Sequence, residues 1–209
     1  MDKLFGPNNP VTVFLARLCD LIFLNLVFVV TCLPVITVGA AVTALYHETI
    51  AIVKKESTYP VRSYFASFKQ NFRQATLLWI ALLALILFFS ADLYVIYFVI
   101  DPAYRFLQYP VWLILIGIAS VLLYAFPLLA THEETVPQLV RNSFLLSLSN
   151  FPFTVFCVVL IGLIVDLSLH NGSILVGFFS LFLFFGCAAL ALFFSLFFVR
   201  IFDKADKKQ

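Results

Sequence analysis

The chain has 209 residues, of which 63% are hydrophobic and 11% are charged, and its mean hydropathy is +1.07. Soluble domains carry about 25% charged residues and keep part of their surface in water, so this composition excludes a soluble globular protein and predicts a membrane protein. The net charge is only +2, and the basic residues form no cluster long enough for nucleic-acid binding. We therefore expect the lipid bilayer as a partner and no nucleic acid.

Five continuous apolar stretches are long enough to cross a hydrocarbon core of about 30 Å, which takes about 20 helical residues. In chain order they are residues 11–33, 75–100, 110–131, 151–169 and 173–201. Membrane β-strands would alternate polar and apolar residues, whereas helices satisfy every backbone hydrogen bond within lipid. The sequence therefore predicts an all-α, polytopic helical membrane protein with one integral membrane domain over residues 1–209.

Residues 38–53 are a sixth apolar segment, which at about 1.5 Å per residue is slightly short for a span. If the segment spans, the side of the membrane that holds the loop at 54–73 and the C-terminus carries twelve Lys and Arg residues, against Arg105 alone outside. If it does not span, Lys3 and Arg17 move outside, and the distribution becomes ten against three. The positive-inside rule therefore favours six spans over five, with a cytoplasmic C-terminus.

The link between the first span and this sixth segment contains a helix breaker and then a face of small residues. Pro34 cannot continue a helix, so we expect the chain to reverse at residues 34–37. Four small residues on one side of the next helix have the spacing that lets two helix backbones approach closely. These residues are Gly39, Ala40, Thr43 and Ala44. The pattern predicts a tightly packed structural hairpin.

Two later segments share the pattern R-x-x-F-x-x-x-x-x-N-F, at residues 62–72 and 141–151, with an offset of 79 residues. Each segment is partly amphipathic and precedes a span, so the sequence predicts two amphipathic helices at the inner face of the membrane. The two units, 62–131 and 141–201, would then be parallel repeats about an axis along the membrane normal. A true duplication and a chance similarity both remain open.

Polar side chains inside the predicted spans are the candidate functional residues, because a charge at a helix centre costs about 2.5–3.5 kcal/mol. The candidates are Asp20, Asn25, Glu48 and Asp92. Asp20 lies three residues after Arg17 on one helix face, so we expect a mutual ion pair. Asn25 is placed to hydrogen-bond to another helix. Asp92 lies about 12 Å from the end of its span, too deep to be easily hydrated.

His47 and Glu48 are adjacent in the second helix, so their side chains point about 100° apart and need not touch. We expect both to be half hydrated near the cytoplasmic headgroups, with Glu48 reaching Arg17 or a lysine of the loop. The alternative hypothesis is a polar functional spot beside the small-residue face.

Motifs of soluble catalytic chemistry are absent from the sequence, including H-E-x-x-H, G-x-S-x-G, Walker A and G-x-G-x-x-G. The cluster at residues 132–134 consists of three consecutive residues, which cannot converge on one ion from a helix. The four cysteines have no metal-ligand spacing and are expected to be buried thiols. They are Cys19, Cys32, Cys157 and Cys187. We therefore predict no catalytic, cofactor-binding or metal-binding residues, and a protein that is not an enzyme.

The stretch LPVITVGAAVTALY at residues 33–46, together with FGPNNP and RSYFASFKQNFRQATLLW, resembles a known family. It is the YesL-like family of Gram-positive bacterial integral membrane proteins, also called domain of unknown function family 624. The later AFPLLATHE and NSFLLSLSNFP fit the same family pattern more loosely. The resemblance implies a plasma-membrane location and genes that are often found beside carbohydrate ABC importers and sugar-degrading enzymes. It implies no catalytic residues.

Three hypotheses on function follow from the residues and the resemblance. The first is a non-enzymatic accessory or interaction protein associated with carbohydrate uptake, whose partners are ABC sugar-importer components. The second is a small secondary transporter or channel with Asp20, Glu48 and Asp92 along a path. A continuous wet cavity that reaches Asp92 would favour this second hypothesis. A membrane enzyme ranks third.

Overall fold

The first two helices form the hairpin that the proline and the charge distribution predicted. The computed structural model describes residues 10–56, 59–132, 134–170 and 186–206. Helix α1 runs over Pro10–Cys32 and helix α2 over Val38–Lys54, with a short 3-10 helix at Val35–Thr37 between them. Thr37 fastens this turn, because its hydroxyl donates to the carbonyl of Thr31 at the end of α1, at 2.6 Å.

Helix α3 is one continuous helix of 39 residues, Pro60–Phe98. At about 1.5 Å per residue it is about 58 Å long, nearly twice the thickness of a hydrocarbon core. The prediction of a separate amphipathic helix at 62–72 is therefore wrong, because that segment is the first part of α3. Nothing after Pro60 interrupts the helix, since the rest of it contains neither proline nor glycine.

The second copy of the shared pattern has a different backbone. After a 3-10 helix at Pro102–Leu107, helix α4 covers Gln108–Thr131, and a capping box at Thr135 and Gln138 starts helix α5, Val136–Ser149. Helix α6, Phe151–His170, follows at once and is bent by 97° from α5. Pro152 explains the break, because a proline after the first residue of α6 has no N–H to continue the hydrogen bonds of α5. The amphipathic segment at 141–149 is thus a separate helix, and the repeat itself stays a prediction.

The helices pack around α2. A larger core joins buried side chains of α3, α4 and helix α7, Cys187–Asp206, and a smaller core joins α1, α2 and α7. In the smaller core, Ala188 and Ala191 pack with Ala44 and Leu45, and farther along both helices Ser195 bonds to Thr49. Helices α2 and α7 therefore run parallel, and α7 ends at the same end of the bundle as Lys54. We call it the Lys54 end.

Three stretches of the described chain are long and apolar enough to cross a membrane: Val35–Lys54, Pro60–Phe98 and Tyr104–Thr131. The bent pair of α5 and α6 makes a fourth if it counts as one span. Large apolar side chains are exposed on α3 and α4, as is expected of helices that face lipid. They include Leu77, Leu87, Phe88, Trp112 and Leu113. The described part of the chain is thus all-helical, with three to four helices that could span a membrane. The last predicted span lies partly outside the described residues.

Candidate functional site

A cavity of about 680 Å³ lies at the Lys54 end, between α2, α3 and α4. It follows α2 from His47 to Lys54, a distance of about 10 Å along the helix axis. Apolar side chains, among them Ile50 and Ala130, line part of its wall. The polar residues of the wall, besides His47, are Lys54, Glu56, Tyr59, Arg62, Ser63 and Thr131. Three helix ends and the loop between α2 and α3 therefore supply one mixed polar and apolar site.

Glu48 lies directly behind the cavity wall. Its side chain is 0% exposed, and its Oε1 is 3.1 Å from Nδ1 of His47, whose own side chain is 40% exposed and lines the cavity. The prediction that both side chains are half hydrated is confirmed for His47 and is wrong for Glu48. Neighbouring positions on a helix need not touch, and here the two side chains do. Glu48 is buried because it lies four residues after Ala44 and continues the small-residue face, which neighbouring helices cover.

The charged groups of the wall come from different elements. Lys54 is the last residue of α2, Glu56 lies in the following loop, and Arg62 belongs to the first turn of α3; all three are exposed. Among the described residues, no carboxylate lies within ion-pair distance of Lys54 or Arg62. Both cations are therefore available to a ligand that enters the cavity.

Asn25 makes the interhelical bond that the sequence predicted. It is fully buried in α1, and its Oδ1 accepts a hydrogen bond of 3.0 Å from the backbone N–H of Ala188. This hydrogen bond joins α1 to α7 near the first described residues of α7.

Asp20 and Arg17 do not form the predicted ion pair. Both residues belong to the described part of the chain, and no ion pair joins them there. They line a separate cavity of about 130 Å³ at the Lys54 end, together with Ile52, Lys55 and Pro60. This places the start of α1 at the same end of the bundle as the last residues of α2.

Asp92 is far from the larger cavity. It is half-buried in α3, thirty residues after Arg62, which corresponds to about 45 Å along the helix. Of the four candidates, the structure therefore places Glu48 behind the wall of the larger cavity, bonded to His47, and Asn25 in a helix contact. It does not bring Asp20 or Asp92 to the same site. Asp166, which the sequence places toward the outer end of its predicted span, has its side chain outside the described residues.

Hydroxyl pairs between described helices escaped the sequence analysis, among them one between α2 and α7 and one between α4 and α6. Thr49 and Ser195 are 2.8 Å apart across α2 and α7, and Tyr124 and Thr154 are 3.0 Å apart across α4 and α6. The signal was a buried Ser or Thr within an apolar helix, which often bonds to a neighbouring helix in a membrane protein. One sequence cannot pair residues that lie 146 positions apart.

The region after α4 is held by polar contacts. The hydroxyl of Thr131 lies 2.7 Å from Nδ1 of His132, and Asn142 of α5 donates to the carboxylate of Glu134 at 2.8 Å. Gln74 of α3 donates to the backbone carbonyl of Glu134. These contacts fix the start of α5 against α3 and α4.

The described residues contain no group of three or more His, Cys, Asp or Glu side chains that could hold a metal ion. All four cysteines are free thiols, and Cys157 is buried while Cys32 and Cys187 are partly buried. Cys19 is exposed, so the expectation of a buried thiol is wrong at that position. Its position on α1 leaves it on an uncovered face of the bundle.

Apolar helices of spanning length, with a polar cavity at one end of the bundle, define a helical membrane protein. The model of the family described as "Protein of unknown function, DUF624" matches residues 21–93, from α1 through α2 and most of α3. The match confirms the family resemblance that the sequence predicted. Comparisons with curated proteins and with solved structures gave no match.

Proposed function

We propose that this chain is a multi-pass plasma-membrane protein with a non-enzymatic accessory or interaction role associated with carbohydrate uptake. Its partners in this proposal are components of an ABC sugar importer, and they dock at the Lys54 end. The link to carbohydrate uptake comes from the family resemblance.

The proposed topology has six spans: α1, α2, α3, α4, α6 and a last span that ends within α7. The Lys54 end faces the cytoplasm in this arrangement. The hairpin of α1 and α2, with Arg17 and Lys55 beside one small cavity, supports the crossing of α2. The parallel course of α2 and α7 supports a C-terminus on the same side as the lysine-rich and arginine-rich loop.

The position of the larger cavity is the observation that carries the functional proposal. The cavity is confined to about 10 Å of α2 at one end of the bundle, and its wall does not include Asp92. A site that opens at one end suits the binding of a ligand or partner better than passage across the membrane.

Helix α5 supplies a second surface near the same end. It exposes Phe144, Leu145 and Leu148, buries Leu139 and Ser143, and is bent by 97° from α6. Such a two-sided helix at the end of a span is suited to the membrane interface. It can contact lipid headgroups or the membrane-facing edge of a partner protein.

The second candidate function is a small secondary transporter or channel. The specific observation in its favour is Glu48, a carboxylate buried within a span and bonded to His47 at the cavity wall. Ionisable residues inside spans are common in ion and substrate pathways.

The two candidates are distinguished by purification from native membranes, with quantitative mass spectrometry of cross-linked partners. We expect importer subunits to be enriched over the amount recovered with an unrelated multi-pass protein. Arg62→Glu, at the cavity, should lower this enrichment, and Arg73→Glu, on the same helix but away from the cavity, should not. No enrichment, combined with solute uptake by the purified protein in liposomes, would replace the first candidate with the second.

A further inference from the structure

The cavity at the Lys54 end combines two cations on separate elements. Lys54 is the last residue of α2 and Arg62 lies in the first turn of α3, so the two residues line the same cavity from different helices. Neither is paired with a described carboxylate. A guanidinium and an ammonium group are the two side-chain cations best suited to phosphate, the first by paired hydrogen bonds and the second as a compact charge.

Hydroxyl groups complete the polar part of the wall. Tyr59, the residue before α3, and Ser63 in its first turn line the same cavity and offer O–H donors, of which a phosphate group can accept several. Glu56 is the opposing charge in this wall. Its carboxylate lowers the attraction for any anion, so its removal has an effect opposite in sign to the removal of Lys54 or Arg62.

The size and the apolar part of the cavity restrict the ligand further. A volume of about 680 Å³ lies in the range of organic-ligand sites, roughly 300–1,000 Å³, and leaves room beside a phosphate group. Ile50, Ala66 and Ala130 form an apolar part of the wall. A phosphate that carries an organic group fits this combination.

We infer that the cavity binds the phosphate of an organic phosphate ester between Lys54 and Arg62, with the organic group toward Ile50 and Ala130. The inference rests on the proposed function, which makes this cavity the functional site. An acidic phospholipid headgroup and a soluble phosphate ester share this chemistry. The test below uses purified protein without partners, so its failure is distinguishable from a failure to capture importer subunits.

The experiment uses the full chain in nanodiscs. One arm measures retention of phosphatidylglycerol by native mass spectrometry, in competition with phosphatidylcholine. The other arm titrates glycerol 3-phosphate into phosphatidylcholine nanodiscs and measures the dissociation constant, with glycerol as the uncharged control.

Five variants test which charges bind the phosphate. Four of them remove a positive charge, and Glu56→Gln removes the negative charge of the wall. Lys54→Gln and Arg62→Gln should each weaken binding by about tenfold, since each loses a charge-assisted hydrogen bond. Lys55→Gln, at the position after Lys54, and Arg73→Gln, farther along α3, remove the same charge outside the cavity wall and should leave binding unchanged. Glu56→Gln should tighten it by a few-fold. Thermal unfolding of each variant confirms that it is folded.

Binding of glycerol 3-phosphate with this variant pattern supports a soluble ester, and selective retention of phosphatidylglycerol with the same pattern supports a lipid headgroup. Both together support the shared chemistry. The inference is overturned if neither probe binds, or if Lys55→Gln and Arg73→Gln weaken binding as much as Lys54→Gln and Arg62→Gln.

Discussion

Helices α2 and α3 lie side by side but differ in burial: α2 is mostly buried by protein, and α3 is mostly exposed. Nine of the 17 residues of α2 are buried, including Thr43, Glu48 and Thr49, whereas six of the 39 residues of α3 are buried. Helix α2 is enclosed by protein, so its neighbours can satisfy polar groups and its small residues permit close packing. Helix α3 presents large apolar side chains outward, where lipid replaces protein. Substitutions should therefore have large effects on α2 and small effects on most of α3.

The largest expected effect is that of Gly39→Leu at the contact between the two helices. A Cβ atom at position 39 would lie 2.6 Å from the backbone oxygen of Ala75 and 2.6 Å from Cβ of Trp79, so the helices must separate. We expect the free energy of unfolding to fall by about 3 kcal/mol, measured by thermal unfolding in detergent. Gly117→Leu is the matched control, because a Cβ there meets no atom within 4 Å. Equal stability of the two variants would contradict the close-packing interpretation.

Leucine truncation tests the difference in burial directly. Leu45 of α2 is 3% exposed and Leu87 of α3 is 62% exposed. Leu45→Ala should lower the free energy of unfolding by about 2–3 kcal/mol, because it leaves a cavity in the smaller core. Leu87→Ala should change it by less than about 0.5 kcal/mol. If Leu87→Ala destabilised the protein more than Leu45→Ala, the proposed difference in burial between α2 and α3 would be wrong.

Two threonines sharpen the comparison at the level of single hydrogen bonds. The Thr49 hydroxyl of α2 pairs with Ser195 of α7, whereas the hydroxyl of Thr76 in α3 is buried without a hydrogen-bond partner among the described residues. Thr49→Val should destabilise by about 1 kcal/mol, and Thr76→Val should be neutral or slightly stabilising. Chemical denaturation of both purified variants measures their free energies of unfolding. Adding Ser195→Ala should recover part of the loss in Thr49→Val, and no recovery would argue against the pair.

A small effect on stability is also expected for Glu48→Gln, although Glu48 lies in the buried helix α2. Glutamine keeps the shape of the side chain and can still bond to His47, so folding should remain nearly intact and any phenotype should be mild. The measurement combines thermal unfolding with the importer-capture assay. A variant that stays folded and inserted but loses all function would contradict the structural role of Glu48 and move the transporter hypothesis to first place.

The hairpin could be predicted because it depends on local sequence. The burial of single side chains could not, because it depends on how each helix is rotated and packed. Pro34 and the small-residue face predicted the hairpin, because a helix breaker and close-packing residues act within one or two turns. The change from amphipathic to apolar character near residue 75 wrongly indicated a helix end. Composition changed there, but no residue interrupts the backbone hydrogen bonds of α3.

The candidate site was harder to predict for the same physical reason. The burial of Glu48 depends on which helices cover its face, and one sequence does not state this. The cavity collects Lys54, Arg62 and Thr131 from three helices. Their separations along the chain carry no signal of proximity, since only the packed bundle brings them together.

Helix α3 is a single uninterrupted rod of about 58 Å. A rod of this length that tilts by about 5° around its midpoint moves each end by about 2.5 Å. In the proposed topology, Arg62 lies near the cytoplasmic end of this rod, so we expect a change in bilayer thickness that alters helix tilt to change the width of the cavity opening beside it. The bend of 97° between α5 and α6 has the opposite consequence, because it allows the orientation of α5 to change independently of that of α6.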